Sequence, residues 1–460
     1  MNKWTAVVAM MATVAMVAAA CGSNTGDSDG SKTSSGEQPS TTAGVAPTTS
    51  DSASAPQSSA ETSKTETAPA SAPSGDPMKF GYVLPETGDL AFLGPPLIEA
   101  VKYAVSLINE AGGVNGQQLA PLVSGDEAND AALAVQAATM EINKHVDAII
   151  GAAATGMTMA IIDKITSSGV AECSGGNTGV ILTDYPGKFG PSGQQLYFRA
   201  AASDQLQAPV LGNMVIADGH SKVAIVYRAD DYGKGLARAT ADVITAGGGT
   251  VVLSEGFDPK TTDFAAIVQK VKSTNPDAVV TIAFEEGFQL WSQLFDVGLT
   301  PNKIGLYATE GMRSEDAPKK NFSDPSIVDG AKGTAPASAE NPEFVKSLMA
   351  FAPKLDGTQF SAQFFDCVNI FALAAEQAKS NRTADWAKNV IGVTKGGTEC
   401  KSFADCKKLI DAGEDIHYIG AAGDLSFTDH GEPGKATVEI FGYKDGGKLV
   451  SLGTKQSVLQ

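Results

Sequence analysis

The sequence predicts an α/β protein of two lobes, each a mainly parallel sheet flanked by helices. Short β-type runs alternate with amphipathic helical stretches from Lys79 onward, the pattern of a parallel sheet wound with helices. The alternation runs through two rounds of about 125 residues, each long enough to bury its own core. Polar or small residues gather where strands end and helices begin, which is where open α/β sheets bind ligands.

The first round opens with a strand at 79–84. Gly94-Pro95-Pro96 then starts a helix with apolar positions Leu97, Ile98, Val101, Val105 and Ile108, closed by Gly112-Gly113, so proline and glycine stand at their preferred ends. Strand and helix recur at 118–123 with 130–144 and at 146–150 with 157–168, followed by a strand at 170–173. In the second round, strands at 196–199, 222–227, 250–254, 278–283 and 303–307 alternate with helices at 205–217, 232–246, 262–273 and 286–297. Three long helical patterns follow near 342–352, 359–378 and 382–393, before a glycine-rich, strand-like stretch at 423–452.

Ahead of the first strand the composition changes. Residues 1–20 carry Lys3 and an apolar run from Ala6 to Ala20, ending in small residues directly before Cys21, as in a secretory signal. Fifteen such residues span roughly 22 Å as a helix, short of the roughly 30 Å hydrocarbon core, which disfavours a permanent span. The run Val17-Ala18-Ala19-Ala20-Cys21-Gly22-Ser23 resembles a bacterial lipobox, with Ala18 where that pattern usually has Leu. Lipidation of Cys21 would then hold the protein at a membrane surface. The alternative is ordinary cleavage that leaves Cys21 as a chance thiol. From Gly22 to Pro77 the only large aliphatic residue is Val45, so this stretch cannot bury a core and reads as a disordered tether of roughly 40 Å.

The 34 Lys and Arg against 52 Asp and Glu give a formal charge of −18, which disfavours nucleic acid and anionic lipid as partners. With Cys21 set aside, four cysteines remain, an even number that suits two disulfides in an exported chain. Cys400 and Cys406 lie six apart just ahead of a helical pattern and suit a short bridge. Cys173 and Cys367 are the remaining pair, either bridged or two buried thiols. With no C-x-x-C spacing, and with His145, His220, His417 and His430 scattered, neither a metal nor a cofactor is expected. No phosphate loop, H-E-x-x-H, dinucleotide fingerprint or nucleophile elbow is present, so no enzyme is expected.

The polar strand ends are Pro85-Glu86-Thr87-Gly88, Ala154-Thr155-Gly156, Gly175-Gly176-Asn177-Thr178, Asp230-Asp231-Tyr232-Gly233, Phe284-Glu285-Glu286-Gly287 and Thr309-Glu310-Gly311. Gly81-Tyr82-Val83-Leu84-Pro85-Glu86-Thr87-Gly88, Ile108-Asn109-Glu110-Ala111-Gly112-Gly113-Val114-Asn115-Gly116, Val146-Asp147-Ala148-Ile149-Ile150-Gly151, Ala229-Asp230-Asp231-Tyr232-Gly233-Lys234-Gly235, Thr262-Asp263-Phe264 and Asn275-Pro276-Asp277-Ala278-Val279, in this order, make residues 79–460 resemble the solute-binding proteins of ABC importers. The likeness is to the Leu/Ile/Val-binding type, with the type I periplasmic binding fold of two Rossmann-like lobes joined by a multi-strand hinge.

That resemblance implies a monomer that closes over a small amino acid or a related amide or acid and delivers it to a membrane permease. Thr155, where the family has Ser, and Thr178 would meet the solute carboxylate. Glu310 would pair with its ammonium, and Tyr232 matches a family Tyr in the second lobe. Phe284 stands where Tyr is common, and Asn177 where Ala is frequent, so both alter polarity near the solute. Phe92, Leu93, Met157 and Met312 either line the side-chain pocket or pack. The residues themselves agree with this division of labour, because a zwitterion leaving water needs donors for its carboxylate and an anion for its ammonium. The bland alternatives are an exposed turn carboxylate at Glu310, paired with Arg313, and plain helix capping by Thr155 and Thr178.

The implied lobes are 78–201 with 334–422 and 202–333 with 423–460, with crossings near 200–203, 333–336 and 420–425. The same fold serves ligand-sensing receptor subunits, and an extracytoplasmic amide hydrolase is a further alternative.

Overall fold

The computed structural model describes residues 75–337 and 341–459. The expected signal at 1–20, Cys21 and nearly all of the expected tether lie outside the described residues. Among the described residues no helix is long and apolar enough to cross a membrane.

The first lobe is built from β1 (Phe80–Leu84), α1 (Gly94–Glu110), β2 (Val123–Asp126), α2 (Ala131–Asn143), β3 (Ala148–Gly151), α3 (Thr155–Ser167), β4 (Ala171–Ser174) and β5 (Tyr197–Arg199). Its five strands are all parallel in the order β2-β1-β3-β4-β5. Every residue of β1, β3 and β4 is buried, as expected for a sheet covered on both faces. The strand expected at 118–123 begins only at Val123, in register with Gly81. Pro121, with no N–H to donate, keeps the ladder from starting earlier.

The second lobe follows as α4 (Asp204–Ala217), β6 (Lys222–Arg228), α5 (Asp231–Ala246), β7 (Thr250–Phe257), α6 (Ala265–Thr274), β8 (Ala278–Ile282), α7 (Glu286–Asp296), β9 (Gly305–Ala308), α8 (Ala317–Asn321) and β10 (Lys332–Pro336). The chain then returns to the first lobe through α9 (Pro342–Phe351), α10 (Ser361–Ala378) and α11 (Thr383–Trp386). A small sheet of β11 (Thr398–Cys400), β12 (Ile416–Gly420) and β13 (Gly423–Asp424) carries α12 (Phe403–Asp411). Finally β14 (Lys435–Lys444) and β15 (Lys448–Val458) form an antiparallel hairpin on the second sheet, whose order is β15-β14-β10-β9-β8-β6-β7.

Two passages between the sheets run through paired strands. β10 still pairs with β14 at Pro336, and β13 still pairs with β12 before β14 begins at Lys435. The long helix expected at 382–393 is the single turn of α11 followed by two 3-10 turns. Its apolar set Trp386, Val390 and Val393 is buried, but Asn389 and Gly392 are poor helix formers and break the run.

Helix α10 is buried from Ser361 to Glu376 and forms the backbone of the first lobe's core. Cys367 on α10 is bonded to Cys173 at the end of β4, with Cα atoms 5.7 Å apart, and Cys400 is bonded to Cys406. Asp366, one residue away, accepts hydrogen bonds from the Tyr418 hydroxyl and from the N–H groups of Ala421 and Ala422, each at 2.8 Å, so α10 also holds the last passage between the lobes.

A buried glutamate in this lobe gives the fold a pH dependence. Glu141 on α2 packs against Gly81, where a Cβ would collide with its carboxyl, and burial pushes that carboxyl up to about 9. The folded chain therefore keeps a proton that the unfolded chain releases above about 4.5. Its stabilising contribution is complete below that pH and is lost as pH rises through about 9. Glu141→Gln is expected to flatten the fall in stability by about 1.4 kcal/mol between pH 6 and pH 7, read by urea denaturation at the two values. An unchanged slope would contradict the shift.

Candidate functional site

The cleft between the lobes is lined from the first lobe by Leu90, Leu93, Leu97, Ala153, Ala154, Thr155, Gly176, Thr178 and Phe360, and from the second by Tyr232, Phe284, Glu310 and Gly311. The cavity between them is narrow, about 30 Å³. Five of the seven expected solute contacts thus meet at one place.

Thr155 is the first residue of α3 and is not its cap, which is Ala154. Its Oγ1 accepts from the Gly179 N–H at 3.1 Å and keeps its own hydrogen to donate. Thr178 sits on the loop after β4. Arg199, fully buried, clamps that loop by donating to the carbonyls of Asn177 (3.1 Å) and Gly179 (2.9 Å) while pairing with buried Glu432. At this end of the cleft, hydroxyls and the start of α3 face the space, an arrangement that favours an anion.

The second-lobe side of the cleft is acidic and lies against Thr178. Glu310 is buried in a 3-10 turn after β9, and burial raises its carboxyl. Gln207 of α4 donates to its Oε2, and Gln359 donates to its backbone carbonyl at 3.0 Å. Arg313 pairs instead with Glu439 at 2.9 Å, which removes the reading of Glu310 as an exposed turn residue. Asp204, the first residue of α4, is fully buried beside it, and burial followed by repulsion from Glu310 pushes its carboxyl well up. Its oxygens make no hydrogen bond of ordinary geometry, although the Thr178 hydroxyl is near enough to favour the charged form. Among the described residues no lysine, arginine or histidine lines the cavity.

The remaining walls are largely apolar. Tyr232 stacks on Phe284 with ring centres 5.5 Å apart, and its hydroxyl shares a 2.8 Å hydrogen bond with Thr309. The guanidinium of buried Arg228 covers Phe284 at 3.6 Å, and Arg228 is itself neutralised by Asp230 and Glu286. A Cβ at Gly311 would run into the Phe284 ring, so glycine is needed for the turn to pass this close. Phe360 holds its ring at the cavity from a left-handed backbone (φ 60°), a conformation that costs such a residue about 1–3 kcal/mol.

Two expected contacts lie elsewhere. Asn177 is fully buried within the first lobe, where its amide donates to the carbonyls of Ala152 and Ala153 at 3.0 Å and accepts from the Tyr197 hydroxyl at 2.9 Å. That engagement removes it from the solute contacts. Phe92 packs against the first core, and its neighbours Leu90 and Leu93 line the cleft instead. Met157 packs on the core of the first lobe and Met312 in that of the second.

Asp204, Gln207, Gln359, Leu90, Leu97 and Phe360 were not legible as site residues. An acidic residue in the first turn of a helix reads as a partner of the helix dipole, and nothing local marks Asp204 as facing a cleft.

A family model described as periplasmic binding protein matches residues 77–447. A Leu/Ile/Val-binding protein homolog of Brucella melitensis is 28% identical over 377 residues, covering 81% of this chain and 93% of that protein. Among solved structures, the branched-chain amino acid transporter substrate-binding protein LivJ of Streptococcus pneumoniae, in complex with isoleucine, aligns with a TM-score of 0.66 at 23% identity. That alignment covers 83% of this chain and all of the other. A solute-binding protein of an ABC transporter from R. palustris, in complex with benzoate, aligns equally well, with a TM-score of 0.66 at 18% identity over 84% of this chain and 98% of the other.

Proposed function

This chain belongs to the periplasmic binding protein family, and from that premise we propose that it is the solute receptor of an ABC importer for a small aliphatic amino acid. It acts outside the cytoplasm and binds without chemical turnover. The lobes close on the solute by a hinge motion, ligand contacts to both sides shift the population toward the closed form, and a membrane permease takes the solute from there. Cys21 would carry the lipid that keeps the receptor at the membrane surface.

The observation that carries the choice of solute is the buried carboxyl of Glu310 in the wall of a cavity without a cationic side chain among the described residues, with Asp204 buried beside it. Burial favours their protonated forms. An α-ammonium supplies the missing positive charge and replaces the proton, while the solute carboxylate meets Thr155, Thr178 and the start of α3. An aromatic acid without an amino group would leave the acidic end unmatched and add a further negative charge. Leu90, Leu93, Leu97 and Phe284 offer an aliphatic side chain apolar cover.

Leucine, isoleucine or valine at 100 times its dissociation constant is expected to add about 2.7 kcal/mol of stability, which a thermal-shift assay reads as a rise of a few degrees. Benzoate is expected to leave the midpoint unchanged. A shift with benzoate and none with the amino acids would overturn the assignment.

A further inference from the structure

Glu127, directly after β2, is fully buried and does not line the cleft, yet it reaches the loop that does. Its two carboxyl oxygens accept hydrogen bonds from the backbone N–H groups of Ala153 (2.8 Å) and Ala154 (3.2 Å). Both alanines line the cavity, and Thr155 is the next residue. One side chain from the loop after β2, two strands away from β3 in the sheet, therefore ties down the turn that presents Thr155 to the cleft.

The charged groups acting on Glu127 are themselves acidic. Asp126, at the end of β2, accepts from the N–H groups of Glu86, Thr87 and Ala128, and Glu172 is fully buried on β4. Helix α2 presents its N-cap Asp130, whose carboxylate is taken up by the Ala132 and Leu133 N–H groups. The loop before α3 presents backbone amides. Burial pushes the Glu127 carboxyl up to about 8, against the two amides, which favour its charged form. As a carboxylate it accepts from both amides; as an acid, one oxygen becomes a donor. A second carboxylate arriving at Thr155 raises the cost of that buried charge, and taking up a proton relieves it.

We propose that Glu127 is a positioning residue for the anionic end of the cleft: it holds the Ala153 and Ala154 amides so that Thr155 faces the solute, and it takes up a proton when the solute carboxylate binds in front of it. This rests on the amino-acid reading given above. Glu127→Gln keeps the size of the side chain and one carbonyl acceptor but cannot titrate.

Calorimetric titration of wild type and Glu127→Gln with leucine at pH 8, in two buffers of different ionisation enthalpy, counts the protons exchanged on binding. Wild type is expected to take up about half a proton more per ligand than the variant. Glu310 and Asp204 titrate in both proteins, so the difference isolates Glu127. Equal counts would overturn the proposal. Hydrogen exchange of the ligand-free proteins supplies a second readout: the Ala153 and Ala154 amides are expected to exchange at least about tenfold faster in Glu127→Ala. Should that variant not fold, at least one of the two amides must exchange faster in Glu127→Gln. Unchanged exchange would remove the anchoring role. A wild type that binds no leucine sinks the amino-acid reading alone, because the exchange measurement uses no ligand.

Discussion

Glu310→Ala is expected to weaken amino-acid binding by about 3–5 kcal/mol, the cost of leaving a buried charge without its partner. Glu310 lines the cleft, is 4% exposed, and receives a hydrogen bond from Gln207 that aims its carboxyl. Asp204 is buried beside it but does not line the cavity, so removing Glu310 leaves the ammonium without a carboxylate in the cavity wall among the described residues. Calorimetric titration with leucine measures the loss directly. Burial raises the Glu310 carboxyl, so a proton and the ammonium compete for it, and wild-type affinity is expected to fall as the pH is lowered. An affinity unchanged in Glu310→Ala would move the ammonium site away from this end of the cleft.

The second large effect concerns the bond between Cys173 and Cys367, which are 194 residues apart in sequence. In the chain-entropy account, a loop of that length adds up to about 5 kcal/mol, against about 2 kcal/mol for the six-residue separation of Cys400 and Cys406. Replacing both Cys173 and Cys367 by Ser is expected to lower stability by about 2–5 kcal/mol in chemical denaturation, and replacing Cys400 and Cys406 to cost less. The first bond also joins α10 to the end of β4, just before the loop that carries Thr178. Loss of Cys173–Cys367 without any change in the denaturation midpoint would show that the core of α10 fixes this region unaided.

Much of the cleft was legible in the sequence because its parts lie at strand ends. Thr155, Thr178, Tyr232, Phe284 and Glu310 each follow a β-type run by a few residues, and a parallel sheet brings such ends to one edge. Asn177 failed as a solute contact for a tertiary reason. It shares the loop with Thr178, but its amide finds the carbonyls of Ala152 and Ala153 and the hydroxyl of Tyr197, all in the first lobe. Nothing in the local pattern distinguishes the neighbour that turns outward from the one that turns in. Glu127 and Asp204 were hidden in the same way, since a single acidic residue beside a helix start reads as an exposed dipole partner until burial is known.

By itself, then, the sequence determined the order of strands and helices, the two-round organisation and the chemistry available at the strand ends, because periodicity, turn residues and composition act over a few neighbouring positions. Only the tertiary structure decided which carboxyls are buried together, that Arg228 rather than solvent covers Phe284, and that Cys173 meets Cys367. Those outcomes depend on contacts between residues tens to hundreds of positions apart, and burial, which sets both the charge state and the partner of each group, belongs to the packed chain and not to any segment of it.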